Sequence, residues 1–152
     1  MFIAASPYDP THPKALAIYC SDGRFTEAVE QLGHELGHAR IDTITLPGGP
    51  GLLNLLTSGF VDLDAMTRAT TFLIRGHATE HVLLVAHEGC GHYRHRHVAL
   101  TPDALRAVQL EDLALAAEAL RHAHPRARVD TYFARPHAGR IAFEPVARRS
   151  AR

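Results

Sequence analysis

Two stretches of the chain concentrate the residue types that bind metals or move protons: YCSDGRF at 19–25 and AHEGCGH at 86–92. They hold the only two cysteines of the 152 residues, Cys20 and Cys90, and each follows an apolar run. His87 and Cys90 stand at H-x-x-C spacing, close enough for a tight turn to present both side chains to one ion, and Gly89 between them relaxes the backbone for such a turn. Cys20 would add a third donor from a separate segment. A Cys2His set leaves one coordination position vacant. Three protein ligands plus water is the arrangement of a catalytic zinc, whereas a structural zinc closes all four positions. Two other readings of the same thiols stand beside this one. Free cysteine is among the most buried residue types, so both could be plain core side chains. A Cys20–Cys90 disulfide is the third, disfavoured by the reducing setting expected for a chain without an export signal.

Sixteen basic and sixteen acidic residues balance, and twelve histidines are the one excess. Such a balance gives no overall field toward nucleic acid, and none is expected as a partner. The local basic runs HYRHRH (92–97) and ARRSAR (147–152) read as an exposed loop and a solvated tail. The start, MFIAASPYDPTHPK, has no charged region ahead of its short apolar stretch and is broken by Pro7, Asp9 and Pro10, so a cytoplasmic location is expected. No run approaches the roughly eighteen apolar residues that span a bilayer, so no membrane partner is expected either. At this length one domain over 1–152 is the default, with 1–13 a short N-terminal arm and 147–152 a flexible tail.

The elements that must carry the donors follow from periodicity. ALAIYC (15–20) is a short apolar run suited to a strand buried on both faces. Phe25, Val29, Leu32 and Leu36 then recur at helical spacing, with Asp22 as the expected cap and Gly37 as the stop. RIDTITL (40–46) alternates as a strand does and ends at PGGPG (47–51), which cannot continue a regular element. Asp62 is the expected cap of a second helix on which Leu63, Met66, Thr70 and Leu73 share a face. HVLLVA (81–86) is a further buried strand, and residues 101–125 form a long amphipathic helix with Thr101 as cap and Pro102 in its first turn. RVDTYFA (128–134) and GRIAFEPV (139–146) complete the set, the last at an edge because Pro145 cannot donate to a ladder. Alternation of strand and helix predicts an α/β fold of three layers: a mostly parallel four-stranded sheet with an additional edge strand, and helices on both faces. Ligands of such sheets collect beyond the carboxyl ends of the strands, where Cys20, His87 and Cys90 can emerge on one rim.

Cys20, Asp22 and Arg24 spell C-x-D-x-R, and His87 and Cys90 spell H-x-x-C followed by Gly91. Both motifs, in this order and after strands such as VLLVAHEGCG, resemble the β-class carbonic anhydrases, and the similarity runs from the strand before Cys20 to the final strand. The resemblance implies zinc held by Cys20, His87 and Cys90, with Asp22 and Arg24 paired beside it as the catalytic dyad. Asp22 then either takes the fourth zinc position or turns to Arg24 and frees that position for water. The implied activity is reversible hydration of carbon dioxide to bicarbonate by a zinc-bound hydroxide, in a homodimer or higher homo-oligomer. Related alternatives are a zinc hydrolase of carbon disulfide or carbonyl sulfide, and a non-catalytic zinc-binding protein. One of His92, His95 and His97 could pass the product proton to solvent, but an exposed His/Arg loop is the preferred reading of that segment. Compared with the family, only residues 1–13 precede the first strand where a long helical arm is usual, and Thr45 in TLPGG stands near the place of a common arginine. The segment between Cys90 and the long helix is also short. These departures bear on substrate placement more than on zinc ligation. Gly48 and Gly49 are read either as shaping the mouth of the site or as a plain turn.

Overall fold

The computed structural model describes residues 1–147, so the expected tail lies, from residue 148 on, outside the described residues. Five strands, β1 (Ala15–Tyr19), β2 (Asp42–Thr45), β3 (His81–His87), β4 (Arg128–His137) and β5 (Arg140–Pro145), form one sheet in the order β2-β1-β3-β4-β5. The first four are mutually parallel, and β5 returns antiparallel to β4 at the edge. Four helices accompany them: α1 (Thr26–Glu35), α2 (Phe60–Gly76), α3 (Gly91–Arg96) and α4 (Pro102–Ala123). The α/β architecture expected from the alternating pattern is therefore present, with its additional edge strand.

Because side chains alternate across a strand, each apolar run feeds two cores. Leu16, Ile18, Val82, Leu84, Val129 and Phe133 pack on one face against Met66 and Ile74 of α2 and Leu113, Ala116 and Leu120 of α4. Ala17, Tyr19, Leu83 and Val85 face the other way, against Phe25 and Val29 beside and within α1. Among the described residues no helix is long and apolar enough to cross a membrane.

The departures from expectation are local and have local causes. Asp22 does not cap α1: Phe25 occupies the cap position without a side-chain bond, and the Asp22 carboxylate is taken by Arg24 instead. Asp62 lies inside the first turn of α2, which begins two residues earlier behind an extended Gly59. There its charge still favours the helix N-terminus. The PGGPG stretch ends β2 as expected but runs into a single 3-10 turn at Gly49–Leu53. The expected loop at 92–97 is largely the short helix α3. β4 reaches His137 because Ala138 and Gly139, both at positive φ, close a two-residue hairpin that lets β5 extend the ladder. Thr101 caps α4 as expected, its hydroxyl accepting from the Ala104 N–H at 3.3 Å.

At the amino ends of the strands lies a second polar cluster. His81 opens β3 and is bonded through both ring nitrogens: Nδ1 to His38 Nε2 at 2.8 Å, and Nε2 to Asp130 of β4 at 3.1 Å. Arg128 pairs with the same Asp130 carboxylate at 2.5 Å.

Candidate metal centre

β1 and β3 run side by side in parallel, with Tyr19 opposite Val85, so Cys20 and His87 leave neighbouring strands at the same end of the sheet. Two residues past His87 the chain turns through Gly89, whose φ of 69° is the left-handed conformation that glycine adopts without strain, and Cys90 follows at the start of α3. The ligand atoms of Cys20, His87 and Cys90 lie within 4.8 Å of one another, and all three residues are buried. The two sulfurs are 3.8 Å apart and both cysteines are free, which removes the disulfide reading because a disulfide needs about 2.05 Å.

Each sulfur sits among backbone N–H groups that favour its anionic form. Gly48 and Asp22 donate to Cys20, and His92 and Tyr93, in the first turn of α3, donate to Cys90. Gly49 makes the first pair possible. A Cβ there would lie 2.7 Å from the backbone N of Cys20, and its φ of 53° suits glycine. The thiols also hydrogen bond to each other. Cys20 is lowered to about 4 chiefly by that bond, with the Gly48 and Asp22 N–H groups helping against burial, while the same bond pushes Cys90 well above the usual thiol value, with burial adding to the rise. In this arrangement the pair holds one proton, and a cation that displaced it would meet two thiolates.

His87 is 2 % exposed, with its ring against Phe25 at a centroid distance of 4.3 Å. Its Nδ1 donates to the Glu88 carbonyl at 2.9 Å, which assigns the proton to Nδ1 and leaves a lone pair on Nε2. Nε2 is buried and has no hydrogen-bond partner. A buried, unsatisfied acceptor is costly, so one aimed among two sulfurs fits a bound cation. The donor set and the fixed tautomer can hold a metal ion.

Asp22 and Arg24 flank this cluster. Arg24 donates Nε to Asp22 Oδ1 at 2.9 Å and Nη2 to Oδ2 at 2.5 Å, a two-point contact that brings the carboxyl down to about 2. The carboxylate is thus turned toward the arginine and stands outside the three-residue cluster. Of the neighbouring histidines, His92 packs its ring beside Gly48, His95 is exposed, and His97 stacks near Tyr93 with centroids 6.3 Å apart. On the far side of Cys90 a cavity of about 880 Å³ opens between α3 and α4, lined by Tyr93, Arg94, Leu105 and Phe133 among others. It reaches Cys90 but neither Asp22 nor Arg24.

Two residues close to the site escaped the sequence reading. Gln109 of α4 donates Nε2 to the His87 carbonyl at 2.8 Å. Asp112, one turn on, accepts from Tyr93 Oη at 2.7 Å. Gln109 and Asp112 lie in the otherwise apolar buried stripe of α4 that continues through Leu113, Ala116, Ala117 and Leu120. Two polar residues inside an apolar stripe were the available signal.

The profile described as a putative carbonic anhydrase matches residues 11–140 of the chain. No curated protein matches it in sequence. Among solved structures, a carbonic anhydrase of Streptococcus mutans superposes with a TM-score of 0.62 at 14% identity, covering 94% of this chain and 88% of that one. The β-carbonic anhydrase CafA of Aspergillus fumigatus gives 0.57 at 17% identity, covering 90% and 77% respectively. A tetrameric β-carbonic anhydrase of Sordaria macrospora gives 0.57 at 15% identity, covering 88% and 81%. Those likenesses carry the fold, and the profile match carries the membership: the chain belongs to the carbonic anhydrase family, in its β-class fold.

Proposed function

We propose that the protein is a zinc enzyme that interconverts carbon dioxide and bicarbonate, with Cys20, His87 and Cys90 as the zinc ligands. The supporting observation is the sulfur separation of 3.8 Å. Two thiolates on one tetrahedral zinc, each about 2.3 Å from it, stand about 3.8 Å apart. Bound there, zinc would supply a Lewis acid that makes water nucleophilic near neutral pH.

The remaining work falls to the chain's own groups. Backbone N–H bonds to both sulfurs draw off part of their charge, which limits how far two thiolates quench the acidity of the ion. The Glu88 carbonyl keeps His87 in the tautomer that offers Nε2. Asp22, held ionised by Arg24, can accept a hydrogen bond from the attacking water and orient it without taking its proton, because its carboxyl is far too acidic to be protonated at neutral pH. Release from Arg24 would let the same carboxylate turn to the fourth position as a resting ligand. Self-association as a homodimer or larger assembly belongs to the same reading, supported by the related tetrameric structure. A mass of one chain by light scattering at micromolar concentration would remove that part.

The test is zinc content by elemental analysis together with carbon dioxide hydration by stopped flow. Equimolar zinc and a rate that disappears with its removal are expected. Zinc without hydration but with carbon disulfide or carbonyl sulfide hydrolysis would replace the substrate, and zinc without any turnover would leave a metal-binding protein.

A further inference from the structure

We propose that Gln109 and Asp112 of α4 are positioning residues that clamp both ends of the His87–Cys90 turn and so set the spacing of two of the three metal donors. The inference rests on the metal-binding reading above. Both side chains are only 4 % exposed. An apolar residue at either position would fill the stripe, so the polar choice needs another reason.

Gln109 grips the carbonyl of His87 itself at 2.8 Å, at the point where β3 ends. Asp112 works one turn further along and one step removed from the sulfur. Its Oδ2 accepts from Tyr93 Oη at 2.7 Å and from Thr57 Oγ1 at 2.5 Å, and its Oδ1 accepts from Asn54 Nδ2 at 2.7 Å. Three donors satisfy a carboxylate that burial alone would penalise. Tyr93 in turn lies in the first turn of α3, where its own N–H and that of His92 point at the Cys90 sulfur. α3 has six residues, too few to hold a helical geometry unaided. The Tyr93 hydroxyl bond therefore fixes the turn that presents those N–H groups and Cys90. Gly51 gives that hydroxyl its room: a Cβ there would come within 2.0 Å of Tyr93 Oη. One turn of α4 thus ties down the strand end carrying the imidazole and the helix start carrying the thiol.

Tyr93→Phe removes one donor while keeping the ring, and Thr131→Val, which deletes a hydroxyl bond to the Val146 carbonyl at the other edge of the sheet, serves as a comparably mild control. Zinc affinity by chelator competition should fall about 10- to 100-fold in Tyr93→Phe and stay unchanged in Thr131→Val. The cobalt-substituted protein should show an altered sulfur-to-metal absorption band in Tyr93→Phe only. Asp112→Asn, which keeps one acceptor, should retain more affinity than Asp112→Ala. In metal-free protein, the loosened turn should expose the Cys90 sulfur, only 2 % exposed in the parent, so that iodoacetamide labels Cys90 of Tyr93→Phe several-fold faster relative to Cys20, read peptide by peptide. Parental affinity and an unchanged cobalt band in Tyr93→Phe would overturn the proposal. Should the parent protein bind no zinc, the metal reading falls, and the labelling comparison alone decides: equal Cys90 rates in parent and Tyr93→Phe overturn the clamp.

Discussion

Strand β3 carries a buried histidine at each end, and the two are wired in opposite ways. His81 at the amino end has both ring nitrogens bonded, one to His38 and one to Asp130, whose charge Arg128 balances. His87 at the carboxyl end has one nitrogen bonded to a carbonyl and the other left bare beside two sulfurs. Their exposures, 6 % and 2 %, barely differ. Burial therefore does not tell a structural histidine from a ligand; the unmet lone pair and its neighbours do. A satisfied imidazole adds to the fold, whereas a buried lone pair beside two sulfurs offers a donor atom to a cation.

The sharpest way to break this contrast is to remove the donors. Cys90→Ser and His87→Ala should each drop zinc content from equimolar to near zero by elemental analysis, and full retention in either would cancel the ligand assignment. The reverse exchange comes next. His81→Gln should leave zinc content intact and cost about 1–3 kcal/mol in urea unfolding, the range for breaking a buried hydrogen-bonded group. A smaller effect comes from pH. Burial lowers the His81 value below its ordinary 6.5, outweighing the opposing pull of Asp130. The unfolded chain thus takes up a proton that the folded chain resists, so this contribution to stability is present above about pH 6.5 and is lost as pH falls below it. Unfolding midpoints from pH 7.5 down to 5 should show the decline, and His81→Gln should flatten it. The smallest change in stability is expected from Asp22→Asn. Its partner Arg24 is 71% exposed, and such surface pairs contribute about 0–1 kcal/mol. The variant should keep its zinc yet shift the pH profile of hydration, and an unchanged profile would take Asp22 out of the reaction.

What the sequence made legible follows the physics of burial. β1 and β3 are read from near-continuous apolar runs because a parallel strand covered on both faces has no polar side to show. The rim placement of Cys20, His87 and Cys90 then follows from parallel strand ends. α3 stayed hidden because a six-residue segment with a glycine, two histidines and a tyrosine is too short and too weak a helix former to show a period; Tyr93 buried against α4 and the N–H groups gathered at Cys90 hold it there. Asp22 and Asp62 looked like caps by residue type, yet Asp22 has a better partner in the bidentate Arg24 two residues on, and Asp62 falls inside a helix that starts two residues earlier, behind Gly59. Gln109 and Asp112 were passed over because a stripe is recognised by its majority, and the two exceptions inside it carry the tertiary information.

The central claim is that two sulfurs and one imidazole nitrogen share a single ion. Zinc-edge X-ray absorption of the zinc-loaded protein measures this without reference to activity. The predicted spectrum has two sulfurs at about 2.3 Å and light-atom ligands, His87 among them, at about 2.0–2.1 Å. A first shell of nitrogen and oxygen alone would contradict it.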